Sequence, residues 1–337
     1  MSSMKTAAGV FLLAASLSTQ AQNYHVSDHW KIGGEGGWDY LLSDDAAHRL
    51  YVTHGPRVEV LDTKTGQSIG AITGPKGTHG VALNPDGKTG YISDGGANAI
   101  IVFDRTTLAV KQSVTAGANP DGIAFEPVTS TVWAFNGRSH DLSIMNAASN
   151  TIDITIPLPG KPEFPRADGK GKVFVNIEDK NLIVELDAKE KKIVASWHLT
   201  GCDSPSGLAI DTAKHRLFSV CDGKKMAISN YKAGKLIALA SIGDHPDAAG
   251  FDAKTGHAFS SNGEGTLSVI DTRKSEFPTV DTVTTNPSAR TMAFEASTRR
   301  IFLSTAKLGP PPAPTDANPH PRPAVLPDTF EILVLSR

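Results

Sequence analysis

Apolar and polar residues alternate in short runs along most of this chain, and residues 49–73, RLYVTHGPRVEVLDTKTGQSIGAIT, show the pattern clearly. Residues 50–53 are apolar and β-branched, residues 58–61 alternate as a half-buried strand does, and residues 68–72 form a third run. A turn at residues 62–66 separates the last two runs. The pattern predicts three short strands that cannot bury both faces alone and therefore need neighbouring units.

The same unit recurs at a spacing of about 40 to 44 residues, the period of four-stranded propeller blades. Each copy follows a Pro/Gly-rich segment with a short apolar strand, and each copy but the last precedes a third strand and a turn. We align the copies on one aromatic position of the second strand: Tyr51, Tyr91, Trp133, Phe174, Phe218, Phe259 and Phe302.

The last copy and the N-terminal region complement each other. The last copy has a third strand at residues 331–335 and no fourth, whereas residues 25–32 form an orphan strand ahead of the first full unit. Pairing the two would remove exposed strand edges, and an open solenoid would leave the orphan strand without a partner. We therefore predict an all-β, seven-bladed β-propeller of four-stranded blades, spanning residues 22–337 as one domain and closed by the N-terminal strand.

The repeat resembles that of the YVTN-repeat, YncE-like β-propeller family through Tyr51-Val52-Thr53-His54 and its copies. The fourth motif position keeps Asn at Asn136 and Asn262. It departs from Asn at the other five copies: His54, Asp94, Ile177, Cys221 and Thr305. The resemblance covers nearly the whole chain and implies a propeller, often periplasmic, but no particular activity, since propellers host unrelated functions.

The first 21 residues have the features of a signal peptide. Lys5 precedes an apolar run at residues 7–17, and the small-residue site TQA ends at Ala21. The run of about 11 residues is too short to span a bilayer, and the alternative, a buried N-terminal helix, lacks a cap. We expect cleavage after Ala21, a periplasmic or secreted product, and no membrane span in the rest of the chain.

Cys202 and Cys221 are the only cysteines. An even count in an exported protein favours a disulfide, and the repeat places both residues at one edge of the fifth blade. The alternative is a pair of thiols that bind a soft metal ion, with His245 nearby.

Charge and motifs exclude several functions. The 33 basic and 35 acidic residues nearly balance, so no global attraction to nucleic acid or anionic membranes is expected. The sequence has no nucleophile elbow, P-loop, dinucleotide-binding glycine motif or haem-attachment motif. These absences favour a binding protein over an enzyme.

Candidate chemistry lies where the innermost strand of each blade begins, at one mouth of the channel. The residues at this position are Asp39, His79, Asp121, Glu163, Ser206, Asp247 and Arg290. They suit a small polar ligand or a cation, although propeller channels are polar and hydrated whatever their function. His54 lies on a loop of the same face, and Trp38 is the candidate for stacking on a ligand.

A divalent metal ion is the cofactor that this ring suggests. Only neighbouring positions can share an ion, so the candidate ligands are His79, Asp121 and Glu163. Oxygen ligands favour Ca²⁺ or Mn²⁺, and imidazole favours Zn²⁺ or Cu²⁺. Arg290, beside Asp247, would instead neutralise its side of the ring.

Residues 309–327 interrupt the last blade between its second and third strands. Eight of these nineteen residues are proline, which predicts an extended loop that cannot join a sheet. The loop emerges on the face that carries His54, so it is either a lid or docking arm, or a solvated insertion.

Together these features predict an exported, monomeric, non-enzymatic binding or scaffold protein that recognises a small polar ligand or a protein partner at the channel mouth. The alternative is a metal-dependent hydrolase or lactonase acting at the same ring. A third candidate, an oxidoreductase subunit, would need a partner chain. Binding of nucleic acid is not expected, because the mouth is acidic and lacks a basic groove.

Overall fold

A computed structural model describes residues 23–315 and 323–337. The expected signal peptide at residues 1–21 and the middle of the Pro-rich segment lie outside the described residues. Within the described ranges, no helix is long and apolar enough to cross a membrane.

The described residues form 28 β-strands and one short 3₁₀-helix, Glu178–Lys180. The first strands in chain order are β1 (His25–Lys31), β2 (Trp38–Asp44), β3 (Arg49–His54), β4 (Arg57–Asp62), β5 (Ser68–Thr73), β6 (Thr78–Leu83), β7 (Thr89–Asp94), β8 (Ala99–Asp104), β9 (Val110–Thr115), β10 (Pro120–Glu126), β11 (Thr131–Asn136), β12 (Asp141–Asn146), β13 (Thr151–Pro157) and β14 (Pro162–Ala167). The remaining strands are β15 (Lys172–Ile177), β16 (Leu182–Asp187), β17 (Lys192–His198), β18 (Leu208–Asp211), β19 (Arg216–Cys221), β20 (Lys225–Asn230), β21 (Lys235–Ser241), β22 (Pro246–Asp252), β23 (His257–Asn262), β24 (Thr266–Asp271), β25 (Thr279–Thr284), β26 (Thr291–Glu295), β27 (Arg300–Thr305) and β28 (Glu331–Ser336).

The strands form seven antiparallel four-stranded sheets, which confirms the predicted seven-bladed propeller. Six blades use four consecutive strands each, from β2–β5 (blade 1) to β22–β25 (blade 6). Each innermost strand contacts those of the two neighbouring blades, and β26 contacts β2, so the ring is closed.

Blade 7 confirms the predicted closure. Its order is β26, β27, β28, β1, with the N-terminal strand at the outer edge. Strands β1 and β28 are antiparallel, and Trp30 pairs with Ile332. Because the first and last described strands share one sheet, the closure of the ring within blade 7 is held by backbone hydrogen bonds.

The core lies between adjacent blades. The aromatic residues that mark the repeat, from Tyr51 in blade 1 to Phe302 in blade 7, are all fully buried. In one interface, Tyr51, Val58 and Ile72 of blade 1 pack with Ile92 and Phe103 of blade 2. The regular aromatic position in the sequence is therefore the core position of each blade.

A disulfide joins Cys202 to Cys221, with the two Cα atoms 5.3 Å apart, and both residues are buried in blade 5. The Pro-rich segment leaves blade 7 between β27 and β28, as predicted. At its base, the Gly309 amide donates to the Ala324 carbonyl and the Leu326 amide donates to the Lys307 carbonyl. The described part of the segment therefore begins and ends in a short antiparallel neck.

Candidate functional site

Five ring residues occupy the same position in their innermost strands. Each is the second residue of its strand, and the pairing register with the next strand shifts across it. Such bulges change the direction of a side chain. The residues are Asp39, His79, Asp121, Glu163 and Asp247. We call the end of the channel where they lie the upper mouth.

Asp39, His79 and Asp121 come together across blades 1, 2 and 3. The Nδ1 atom of His79 lies 2.6 Å from Oδ2 of Asp39 and 3.8 Å from Oδ1 of Asp121. One ligand atom from each residue lies within 4.8 Å of the others, which is close enough for a single ion to contact all three. We refer to these residues as the upper triad.

Asp121 is the member of the upper triad with an oxygen that accepts no hydrogen bond within the described chain. Its Oδ1 atom is buried, and no hydrogen-bond donor among the described residues reaches it. Burial, reinforced by the negative charge of Asp39, raises the pKa of Asp121 to about 7. A buried carboxylate oxygen without a donor is costly, and a cation beside it would remove that cost.

The pKa of His79 is also raised, but for a different reason. Burial acts to lower its pKa, but the hydrogen bond to Asp39 and the charge of Asp121 outweigh burial and raise the pKa to about 9. Near neutral pH, the imidazolium therefore satisfies Asp39 and only partly balances Asp121. The upper triad keeps a net negative charge when all of its carboxyl groups are ionised.

Glu163 lies beside the upper triad but has different partners. Its Oε1 atom accepts from the Lys161 ammonium at 2.7 Å, and the Tyr40 hydroxyl lies 3.4 Å from Oε2. Lys161 also pairs with Glu178. Burial and the charge of Asp121 raise the pKa of Glu163 to about 8. The predicted metal-binding set of His79, Asp121 and Glu163 is therefore replaced in the geometry by the upper triad, in which Asp39 takes the place of Glu163.

Two aromatic rings close the channel below the upper triad. Tyr40 of blade 1 and Phe164 of blade 4 meet across the channel edge to face, with ring centroids 4.7 Å apart. In blade 3 the same strand position is Gly122, where a Cβ atom would lie 2.5 Å from the Glu163 carbonyl oxygen. Blade 3 therefore has no room for a side chain at this position. We call Tyr40 and Phe164 the aromatic floor.

The remaining ring residues neutralise each other or bind backbone. Asp247 pairs with Arg290 through an Nε–Oδ2 contact of 3.2 Å. The Ser206 hydroxyl donates to the Pro246 carbonyl at 3.2 Å. The predicted ring thus divides into an acidic part in blades 1 to 4 and a compensated part in blades 5 to 7.

The structure places the other two predicted residues away from open solvent. His54 is fully buried and stacks on Phe330 with ring centroids 4.1 Å apart. Trp38 is half-buried and packs on the same Phe330 ring at 5.3 Å. Both side chains hold blade 1 against the segment that returns from the Pro-rich loop.

Sequence reasoning missed Tyr40, Phe164 and Lys161. A signal for the first two was present, because blades 2, 3 and 5 carry glycine where blades 1 and 4 carry an aromatic residue. Lys161 lies in the variable segment before β14, where the repeat gives no expectation.

Known structures support the fold but not a family. No protein-family model matches the chain. The chain is similar to the WD40 repeats of RRP9, with a TM-score of 0.77 and 11% identity over 93% of this chain and 99% of the other. It is also similar to U3-55K, with a TM-score of 0.76 and 11% identity over 92% and 99%. A chain of hydrazine synthase from Kuenenia stuttgartiensis is similar with a TM-score of 0.69 and 14% identity. The match covers 80% of this chain and 92% of that chain.

One curated protein matches a short segment. PE-PGRS family protein PE_PGRS18 of Mycobacterium tuberculosis (strain ATCC 25618 / H37Rv) is 45% identical over 51 residues, which is 15% of this chain and 11% of that protein. The match therefore spans about a ninth of the relative's length. At these identities and coverages, the comparisons show that the chain is a seven-bladed β-propeller.

Proposed function

We propose that this chain is a non-enzymatic binding propeller whose upper mouth binds a cation, with a divalent metal ion as its simplest ligand. The observation that carries the proposal is the upper triad, whose ligand atoms lie within 4.8 Å of one another and whose Asp121 has a buried oxygen without a donor. A propeller framework suits this role, because its loops and strand ends converge on one site.

The donor set indicates which ions to try. Two carboxylates and one imidazole suit ions that accept both oxygen and nitrogen ligands, such as Zn²⁺ and Mn²⁺. An ion bound by all three side chains would take the place of the proton that His79 shares with Asp39 in their hydrogen bond.

The test is a binding titration of chelator-treated protein with Zn²⁺ and Mn²⁺, followed by calorimetry and thermal unfolding. We expect one ion per chain and an increase in unfolding temperature, because an ion that binds only the folded state stabilises it. Asp121→Asn should weaken binding by about tenfold or more, since it removes a charged ligand.

Asp247→Asn is the matched control, because Asp247 has the same strand position but pairs with Arg290. This variant should bind ions nearly as the unmodified protein does. Absence of saturable binding in the unmodified protein, or equal loss in the two variants, would reject the proposal.

A metal-dependent hydrolase or lactonase is the second candidate, and one observation favours it. Glu163 lies next to the upper triad, and its pKa of about 8 suits a group that exchanges protons near neutral pH. In this function the ion would polarise a carbonyl group, and Glu163 would act as general acid or base.

The second candidate is tested by a screen of lactones and esters with metal-loaded protein. It requires turnover that falls at least about a hundredfold in Glu163→Gln, the lower range for loss of a general acid or base. Metal binding without turnover would support the binding function and reject the hydrolase function.

We also propose that the protein is exported and belongs to the YVTN-repeat family. The Cys202–Cys221 disulfide supports export, because such bonds persist in oxidising compartments. The aromatic repeat with its period of about 40 residues supports the family. Cell fractionation and N-terminal sequencing of the secreted or periplasmic product test export. A cytosolic protein that retains residues 1–21 would contradict it.

A further inference from the structure

Below the aromatic floor the channel forms a cavity of about 620 Å³. It extends from Tyr40 and Phe164 to Asp45 and Ala296, on the turns at the opposite face of the propeller. Its walls are mainly apolar and include Leu83, Phe125, Ile210, Phe251 and Phe294. We call this space the lower cavity. None of the three residues of the upper triad lines it.

Arg166 is the only basic residue among those that line the lower cavity, and the described residues give it no counter-ion. Its guanidinium carbon lies 4.2 Å from the centroid of the Phe164 ring. No described carboxylate forms an ion pair with it, and no described acceptor forms a hydrogen bond with it. Arg166 therefore contributes a positive charge to a cavity with aromatic and aliphatic walls.

The two carboxylates that line the lower cavity are engaged elsewhere. Asp44 pairs with Arg105. Asp45 accepts a hydrogen bond from the Ser297 amide at 2.9 Å and another from the Ser43 hydroxyl at 3.1 Å. The Tyr40 hydroxyl, on the floor above, is directed to Glu163. Among residues 23–315 and 323–337, none supplies a negative group to Arg166.

Arg166 is half-buried, and burial lowers its pKa to about 10. A guanidinium held partly out of water without a counter-ion costs free energy. The equivalent position in five of the other blades is alanine or glycine: Ala82, Ala124, Ala209, Gly250 and Ala293. The blade repeat therefore does not require a long cationic side chain at this position, and in blade 4 the side chain packs on Phe164.

We propose that the lower cavity binds a small carboxylate with an apolar body, with Arg166 pairing with the carboxylate group. This inference is independent of the cation site at the upper mouth. The volume falls within the range of small-molecule sites, and walls of this kind with one placed charge are typical of them.

Among anions, a carboxylate suits Arg166 better than a phosphate ester does. The planar guanidinium matches a carboxylate with two parallel hydrogen bonds, and one arginine balances one negative charge. A phosphate ester with two charges would leave an uncompensated charge in an apolar cavity. Phe125, Phe251 and Phe294 would contact the apolar body, since aromatic side chains offer large apolar surfaces.

The test uses 4-phenylbutyrate as probe and 4-phenylbutanamide as its neutral counterpart, measured by calorimetry and ligand-observed NMR. The unmodified protein should bind the carboxylate about tenfold more tightly than the amide, as one charged hydrogen-bond pair predicts. Arg166→Gln should abolish that preference. Asp121→Asn should leave it unchanged, which separates this site from the upper triad.

A second variant tests the site if Arg166→Gln does not fold. Ala167 occupies the strand position that is Phe125, Phe251 and Phe294 in three other blades, so Ala167→Phe introduces a side chain that the repeat already accommodates. It should fill part of the lower cavity and weaken probe binding while preserving the unfolding temperature. Equal binding of the two probes by the unmodified protein, or a preference that persists in Arg166→Gln, would overturn the proposal.

Discussion

The upper mouth and the lower cavity are built by the same seven strands but have opposite character. The upper mouth gathers Asp39, Asp121 and Glu163 with insufficient positive charge near Asp121. The lower cavity has apolar walls and the lone guanidinium of Arg166. The aromatic floor separates them. A closed ring of repeated blades can therefore hold two unlike sites, because each site depends on a different position along the same strands.

The comparison also shows what separates the two sites. In most blades, the position after the ring residue is small, and only Tyr40 and Phe164 are large enough to meet across the channel. Tyr40 also reaches Glu163. The floor thus contacts Glu163 on its upper side and lines the lower cavity on its other side.

Removing the floor should have the largest effect. Tyr40→Ala, which copies Ala248 in blade 6, should lower the free energy of unfolding by about 3 kcal/mol or more, since it deletes a buried aromatic side chain. Tyr40→Phe keeps the ring and loses only the long contact to Glu163, so it should cost about 1 kcal/mol. Urea unfolding measures both values. If both variants lowered the free energy of unfolding equally, the aromatic ring of Tyr40 would not be what stabilises the aromatic floor.

Changing the ligand type should alter ion selectivity at the upper mouth. His79→Asn should reduce affinity for Zn²⁺ by about 100-fold and affinity for Mn²⁺ by less, because imidazole contributes more to zinc sites. Ser206→Ala, at the corresponding position of blade 5, is the control and should change neither value. Competition with a fluorescent metal indicator measures the two affinities. An equal loss for both ions would indicate that His79 acts only through Asp39.

The acidic side of the mouth should make stability depend on pH. The folded-state pKa of Glu163, about 8, lies above its usual value of 4.5, so the folded protein holds this proton more tightly than the unfolded chain does. The stability that this proton contributes is fully present below the pKa of Glu163 in the unfolded chain. It is lost as pH rises through the pKa of Glu163 in the folded protein.

Metal-free protein should therefore lose stability between about pH 5 and pH 9, and Glu163→Gln should lose less over the same range. Chemical unfolding at several pH values compares the two. If Glu163→Gln lost stability more steeply than the unmodified protein, the pKa of Glu163 would be lowered by folding and not raised.

The compensated side of the ring should show the smallest effect. Arg290→Gln should destabilise the fold by up to about 1 kcal/mol, since the pair with Asp247 is partly exposed. Adding Asp247→Asn should restore part of that loss, and the double-mutant cycle isolates the pair energy. A coupling energy near zero would mean that Asp247 is compensated by other groups, and the contrast between the two sides of the ring would weaken.

The repeat made the fold predictable, because aromatic positions such as Tyr51 and Trp133 recur with the blade period and all prove to be buried. Closure by the first strand followed from the missing strand of the last blade. The ring positions were also predictable, since they start apolar strands. The partners of Glu163 could not be predicted. Lys161 lies in a variable segment, and Tyr40 contacts Glu163 across the channel. His54 was assigned to the mouth from its place at a strand end, but its burial depends on Phe330, which follows the Pro-rich segment.

The most direct test of the central claim is anomalous diffraction from crystals of the protein grown or soaked with Zn²⁺ or Mn²⁺, recorded at the absorption edge of the ion. The account predicts one strong peak bounded by Asp39, His79 and Asp121, and none beside Asp247 and Arg290. A peak elsewhere in the ring, or none at ion concentrations that saturate binding in solution, would contradict it.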